Sequence, residues 1–321
     1  MKKILIIRFS SIGDIVLTEP LIRGIKKQYP DSHITFLTKE MYLSLLEFNP
    51  QIDKIICIKR KAGEAIDELK NLSFDLVLDL HKNYRSTFIK LSLGYKSNNL
   101  FKANMAKWKM VRLKSKDEIE HITLRYIKTA EAIGIKYDGE GLNFYLNPDT
   151  NIHNFNLPHN YIALASGGKY KTKCMPPELI AKIIDKTNLP VVVLGGREEE
   201  FIGEDIRKHT NKLFINLINK CSLAQSALII KNADKVIAND TGLMHISAAY
   251  KKRMVVIWGN TTPRFGFFPF YPDDSKSLYK NFDVDLSCKP CSKLGFEICP
   301  KKHFNCMMQQ PVNDIANWLN E

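Results

Sequence analysis

The sequence predicts an α/β protein made of two doubly wound, Rossmann-like domains. Three observations carry that prediction. Short apolar, β-branched runs alternate along the chain with segments whose apolar residues recur at helical spacing. A stretch rich in Pro and Asn, residues 147–159 (NPDTNIHNFNLPH), interrupts the alternation once. Polar turns, several with glycine, stand at the carboxyl ends of the strands, where open parallel sheets bind ligands. The expected domains are 1–150 and 151–310, followed by a final helix in 311–321 that packs back on the first domain.

The chain has 321 residues, 45% hydrophobic and 25% charged, the balance of a globular protein with material for two cores. No run approaches the ~20 apolar residues of a membrane span. The basic start followed by Ile4-Leu5-Ile6-Ile7 reads as a first buried strand rather than a secretory signal. Seven cysteines, an odd number with three scattered singly, suit reduced thiols in a cytoplasm. A net charge of +13 calls for an anionic partner: nucleic acid, membrane or acidic substrate.

In the first half, strands are predicted over 3–7, 34–37, 55–58 and 74–80, with helices over 15–25, 41–48 and 62–72. Right-handed βαβ units then place Ser10, Ser11, Gly13, Asp14, Asp79 and His81 on the working edge of a parallel sheet. Asp14 has two readings. Ser11-Ile12-Gly13-Asp14 has capping-box spacing, so Asp14 can satisfy first-turn amides. It can equally be a general base on a loop at a strand's carboxyl end. The loop lacks the spaced glycines of a dinucleotide site, which argues against hydride transfer.

Between His81 and Lys116 there are ten basic residues, including Lys82 and Arg85, and no Asp or Glu, with Tyr84, Phe88, Tyr95, Phe101 and Trp108 interleaved. A charge run is commonly a solvated face. One sign of charge mixed with aromatics fits contact with single-stranded nucleic acid, an acidic sugar or lipid headgroups, but no nucleic-acid module signature is present. His121 and Arg125 follow, in a helix ending at Gly134.

In the second half, strands are predicted over 161–165, 191–194, 235–238 and 254–258, with helices over 177–186, 201–208, 223–231 and 241–250. Glycines at the strand ends suggest backbone approaching a phosphate. Lys169, Lys171 and Lys173 follow Ser166-Gly167-Gly168, where a lysine neutralises a diphosphate or sits in a solvated loop. Residues 236–250 (VIANDTGLMHISAAY) read as strand, polar turn and helix start. This is either an anion site built on first-turn amides or a crossover helix capped by Asp240 or Thr241. Near the end, Cys288, Cys291, Cys299 and Cys306 lie within nineteen residues. Their spacing admits zinc, with reduced thiols favoured.

Two doubly wound domains joined by a linker look like a GT-B glycosyltransferase, with the domains facing across a cleft. Residues 3–27 (KILIIRFSSIGDIVLTEPLIRGIKK) resemble the opening of glycosyltransferase family nine, the ADP-heptose:lipopolysaccharide heptosyltransferases. So do Lys173-Cys174-Met175-Pro176, residues 239–250, residues 258–263 (WGNTTP), residues 121–126 (HITLRY) and the late cysteine cluster. The pairing of SSIGD with DTGLMH at this separation is the specific part of the match.

The resemblance implies an inverting, metal-independent transfer from an ADP-sugar, a substrate rather than a cofactor. Asp14 would be the catalytic base, with Ser10, Ser11 and Gly13 shaping the loop. Lys173 would hold the diphosphate. Asp240, Thr241, Gly242 and Leu243 would bind nucleotide and sugar, with Ser222 near the adenine. Lys82, Arg85, His121 and Arg125 would meet an acidic, lipid-linked inner-core acceptor at the inner face of the cytoplasmic membrane, the enzyme being cytoplasmic and peripheral, with no nucleic-acid partner. A GT-B enzyme for another nucleotide sugar is the nearest rival, and a single-strand-binding protein built on 82–116 is the rival from another class.

Overall fold

A computed structural model describes residues 1–321. The chain forms two compact units, Met1–Lys102 with Glu120–Asn147, and Ala103–Ile119 with Pro148–Glu321.

The first unit runs β1 (Lys3–Ile7), α1 (Ile12–Val16), α2 (Glu19–Gln28), β2 (His33–Lys39), β3 (Lys54–Ile58), α3 (Ile66–Lys70), β4 (Leu76–Asp79), α4 (Tyr84–Leu93) and β5 (Ser97–Asn99). Its five strands are all parallel, in the order β3-β2-β1-β4-β5. The strands are near-continuous apolar runs because both sheet faces are covered. Leu5, Ile7, Leu37, Ile56 and Val77 fill one face against Ala65, Leu69 and Ile89.

The predicted helix over 15–25 is two helices. Pro20 stands in the first turn of α2 and cannot donate to a preceding turn, so the chain breaks at Leu17-Thr18. Residues 41–48 give only a 3₁₀ turn, Glu40–Leu45. Arg23 on α2 is buried and ties the segment around Asp138–Gly141 to that helix. Its guanidinium meets Glu19 at 2.5 Å and Asp138 at 2.9 Å and donates to the Gly141 carbonyl at 2.8 Å.

Next in the chain is α5 (Asn104–Arg112), which belongs to the second unit, whereas the sequence assigns it to the first. The reason is apolar: Ala103, Met110 and Ile119 pack with Phe265, and Ile119 N–H donates to the Arg264 carbonyl at 2.9 Å. The chain then returns to the first unit for α6 (Ile122–Lys128).

The second unit continues with β6 (Ile162–Ala165), α7 (Pro177–Lys186), β7 (Val191–Leu194), α8 (Ile202–Arg207), β8 (Ile215–Asn216), α9 (Leu223–Asn232), β9 (Lys235–Asn239), α10 (Gly242–Ala249), β10 (Arg253–Trp258), β11 (Tyr279–Asp283), α11 (Asn305–Met308) and α12 (Val312–Asn320). Its sheet is again parallel throughout, in the order β11-β10-β9-β6-β7-β8.

The expectation that the final helix packs on the first domain is corrected. Ile315 and Leu319 of α12 enter the second unit's core beside Ile180, Ile183 and Ile257, and Lys235 Nζ reaches the Leu319 carbonyl at 2.7 Å. The apolar stripe of α12 is buried by the core of its own unit.

Both sheets carry a topological switch point. In the first unit it lies between β1 and β4, and in the second between β6 and β9. Loops leaving adjacent strands there run in opposite directions and open a crevice. Asp14 and Asp79 stand at the first of these crevices and Asp240 at the second.

Candidate active-site constellations

In the first unit the chain leaves β1 through Arg8-Phe9-Ser10-Ser11 into the short helix α1. Asp14 does what the capping box requires: its Oδ2 accepts from Ser11 N–H at 3.1 Å and from Ser11 Oγ at 2.8 Å. It also does more. Its Oδ1 lies 2.7 Å from Arg8 Nη2, and the Tyr126 hydroxyl stands 3.4 Å away. Asp14 remains 18% exposed, so a substrate hydroxyl can reach it. The two sequence readings are therefore compatible: the cap aims the carboxylate that a base would need. Gly13 is buried within α1, and the Ser10 carbonyl accepts from Arg8 Nε at 2.6 Å.

Below this loop Asp79, at the end of β4, is fully buried. It pairs with Lys90 at 2.8 Å and accepts from the His81 and Lys82 amides at 3.0 and 2.7 Å. It shapes the second wall of the crevice. His81 packs edge-on against Phe9, ring centres 5.3 Å apart. Burial, then the charges of Arg8 and Lys102, push His81 down to about 4. Unfolding restores its ordinary value near 6.5, so between those values the unfolded chain holds the extra proton. Stability conferred by neutral His81 is thus complete above pH 6.5 and lost as the pH falls toward 4. Denaturant melts across that window should show a slope from this group of at most about 1.4 kcal/mol per pH unit, and His81→Asn should flatten it.

The acceptor candidates do not form one surface. Arg125 is buried on α6, where its Nη1 donates to the Phe101 carbonyl at 3.1 Å; burial lowers its proton affinity. His121 is buried too and caps α6 through Nδ1, which accepts from Thr123 N–H at 3.2 Å. Lys82 is exposed, and Arg85 is half-buried at the start of α4 over the Tyr84 ring at 5.2 Å.

In the second unit, β9 ends at Asn239 and the chain turns through Asp240 and Thr241 into α10. Neither residue caps that helix. Thr241 is the N-cap by position but makes no side-chain cap bond. The Asp240 carboxylate turns instead to Lys173 at 2.5 Å and accepts from Thr261 Oγ1 at 3.0 Å. Lys173 comes from the 3₁₀ turn after β6, and Thr261 from the loop after β10. Three strand ends thus supply one constellation beside a helix start that begins at Gly242 and Leu243. The cap that would compete for α10's first-turn amides is absent, which favours the anion-site reading over the capping one. Close by in sequence, buried Asn260 has neither side-chain polar atom partnered, and Asn239 Oδ1 is likewise unpaired, though Asn239 Nδ2 donates to the Gly167 carbonyl at 3.0 Å.

Other expectations are revised. One glycine amide in each of the turns after β6 and β7 is taken by Glu199: its Oε2 accepts from Gly196 N–H at 2.7 Å and its Oε1 from Gly168 N–H at 3.3 Å. Gly259 is required by the chain itself, since a Cβ there would lie 2.3 Å from the Thr172 carbonyl oxygen. Ser222 caps α9, with its Oγ accepting from Gln225 N–H at 3.1 Å and Gln225 answering at 3.0 Å. Ser222→Ala should cost about 1 kcal/mol, read as a lowered thermal midpoint.

The late cysteines are free thiols. Cys288 Sγ lies 4.0 Å from His303 Nε2, and burial with neighbouring thiols raises Cys291 and Cys306 to about 11. No three His, Cys, Asp or Glu side chains converge as a ligand set, Cys299 included.

Arg8, Tyr126 and Thr261 entered the sequence analysis only inside longer motifs, and Glu199 not at all. Arg8 and Thr261 lie inside motifs already marked, which was the available signal. Tyr126 meets Asp14, distant in sequence within the first unit, and Glu199 meets Gly168 within the second, so neither contact left a local signal.

Comparison with known proteins bears on these two crevices. A 25% identical relative, lipooligosaccharide heptosyltransferase 2 of Haemophilus ducreyi, aligns over 82% of this chain and 85% of its own length. The structure of E. coli ADP-heptose lps heptosyltransferase II superposes with a TM-score of 0.70 at 18% identity, covering 98% of this chain and 100% of the other. E. coli heptosyltransferase WaaC with ADP gives 0.66 at 16%, covering 99% and 98%. Together with two parallel α/β units, these establish a GT-B-like fold. The family model for glycosyltransferase family 9 (heptosyltransferase) matches residues 63–295, a span that takes in Lys173, Asp240 and Thr261. With most of the chain matched, and the matched part including the whole second-unit constellation, the protein belongs to glycosyltransferase family 9 and is a glycosyltransferase.

Proposed function

We propose that the enzyme transfers a heptose from an ADP-linked donor to an acidic inner-core lipopolysaccharide acceptor, with inversion. The observation that carries this reading is the Lys173–Asp240–Thr261 constellation at the uncapped start of α10, in a chain of the heptosyltransferase family. The names of the relatives support the sugar and the acceptor class, and the ADP complex of a structural neighbour supports the nucleotide.

In the mechanism, Asp14 takes the acceptor hydroxyl proton as that oxygen attacks the anomeric carbon and the bond to the diphosphate breaks. Lys173 and the first-turn amides of α10, Thr241-Gly242-Leu243, meet the negative charge that grows on the departing ADP. No divalent ion enters this step; protein groups stabilise the leaving charge.

The acceptor meets the first unit at the β1 and β4 loops, with Lys82 and Arg85 nearest to solvent. The enzyme works as a peripheral protein on the inner face of the cytoplasmic membrane. Tyr84, Phe88 and Leu91, spaced 4 and 3 residues along α4, are 73%, 52% and 78% exposed. An outward apolar face on a helix in a basic segment suits an anionic lipid surface. No helix is long and apolar enough to cross a membrane.

The test is a donor trial. Purified protein with a deacylated inner-core acceptor should consume ADP-heptose and leave UDP- and GDP-sugars untouched; turnover of another nucleotide sugar in preference would overturn the assignment.

A further inference from the structure

We propose that Arg8 is a positioning residue for the base, holding the Asp14 carboxylate ionised and aimed; the proposal rests on the reading of Asp14 as that base. Each of its three nitrogens has a different oxygen. Nε donates to the Ser10 carbonyl at 2.6 Å, Nη1 to the Leu80 carbonyl at 2.5 Å, and Nη2 meets Asp14 Oδ1 at 2.7 Å. These oxygens come from the loop after β1, the end of β4 and α1. A planar fork fixed at three points cannot swing, so the carboxylate bound to its third point cannot either. The other Asp14 oxygen is fixed by Ser11 N–H and Oγ. The guanidinium lies almost wholly out of solvent, 5.8 Å from the Tyr126 ring centre. Burial opposes its charge, but Asp14, Tyr126 and Asp79 more than compensate.

The pairing has two opposed consequences. A cation at 2.7 Å favours the ionised carboxylate, which keeps the base ready at lower pH. It also makes that carboxylate a weaker proton acceptor. Removing the cation should therefore move the pH at which the base becomes active, which a purely architectural arginine would not do. Other groups that interact electrostatically with Asp14 include Tyr126 and Arg125 on α6, Tyr42 in the 3₁₀ turn after β2, and His81 and Lys102. Of these, His81 is pushed down to about 4 and the two tyrosines are pushed up, so these three stay neutral between pH 5 and 9. Across that range Arg8 stays charged 2.7 Å from the carboxylate.

The experiment records kcat and kcat/KM against pH for ADP release from ADP-heptose with a deacylated inner-core acceptor. Arg8→Met should raise the acidic limb of kcat/KM by about one to two pH units and regain much of its rate on the alkaline side. Arg8→Lys keeps the charge but loses the fork: its limb should stay in place while kcat falls about tenfold, in line with the sensitivity of catalysis to small misplacements. An unmoved limb in folded Arg8→Met, or a wild-type kcat in Arg8→Lys, overturns the proposal. The second outcome remains decisive if Arg8→Met does not fold. Asp14→Asn, assayed in parallel, separates the two claims. If it retains near-normal turnover, both the base reading and the role of Arg8 fall. If it is inactive while both Arg8 variants behave like wild type, the base stands and the positioning role alone is wrong.

Discussion

Asp14→Asn should lose turnover by about 10²- to 10⁴-fold, the contribution of a positioned general base, while binding ADP as the wild type does. The substitution is nearly isosteric. The amide oxygen can still accept from Ser11, so the start of α1 keeps its cap and the loop its course. What disappears is a group able to take a proton, together with the charge facing Arg8. The residues proposed to bind the donor, Lys173, Asp240 and Thr241, belong to the other folded unit and are untouched. Turnover from single-mixing kinetics and ADP affinity from calorimetry check the two halves of the expectation. Near-normal turnover would leave Asp14 as a cap and nothing more. That outcome has a physical basis, because the capping bonds at 2.8 and 3.1 Å are present in full.

Lys173→Ala should weaken ADP binding by roughly 10- to 100-fold, since a hydrogen bond to a charged group contributes about 1.5–3 kcal/mol. Two effects combine. The diphosphate loses a cation, and Asp240 loses the lysine at 2.5 Å that neutralises it. Asp240 would then keep only the Thr261 hydroxyl and would repel the ligand's charge. Asp240→Asn in the alanine background should recover part of the affinity by removing that repulsion. Calorimetric titration with ADP measures both. An unchanged affinity in Lys173→Ala would take the residue out of the donor site and leave the pair as a structural tie between strand ends.

Central strands and the apolar edge strand β3 were legible in the sequence, and the polar edge strands were not. β1, β6, β7, β9 and β10 are covered on both faces, so their sequences are unbroken apolar runs. β5 (SNN), β8 (IN) and β11 (YKNFD) lie at or near sheet edges, where no burial demands such a run. The helices α4 and α5 were hidden for the opposite reason. Tyr84, Phe88 and Leu91 on α4 and Met105 and Trp108 on α5 are apolar residues left exposed, and they blur the periodicity of the buried ones. The boundary of the first unit was missed because membership of α5 depends on contact with Phe265, far away in sequence.

The sequence by itself determined the fold class, the two-unit organisation and the motifs that mark each crevice, because alternation of strands and helices and turn chemistry are local properties. It left Asp14 between cap and base, and Asp240 and Thr241 between cap and anion site. Only the tertiary structure resolved what these side chains touch. Asp14 caps and also pairs with Arg8, whereas Asp240 declines the cap and pairs with Lys173. The difference is physical: a carboxylate goes to the strongest donors within reach, and which donors those are depends on strand order, which brings β1 beside β4 and β6 beside β9.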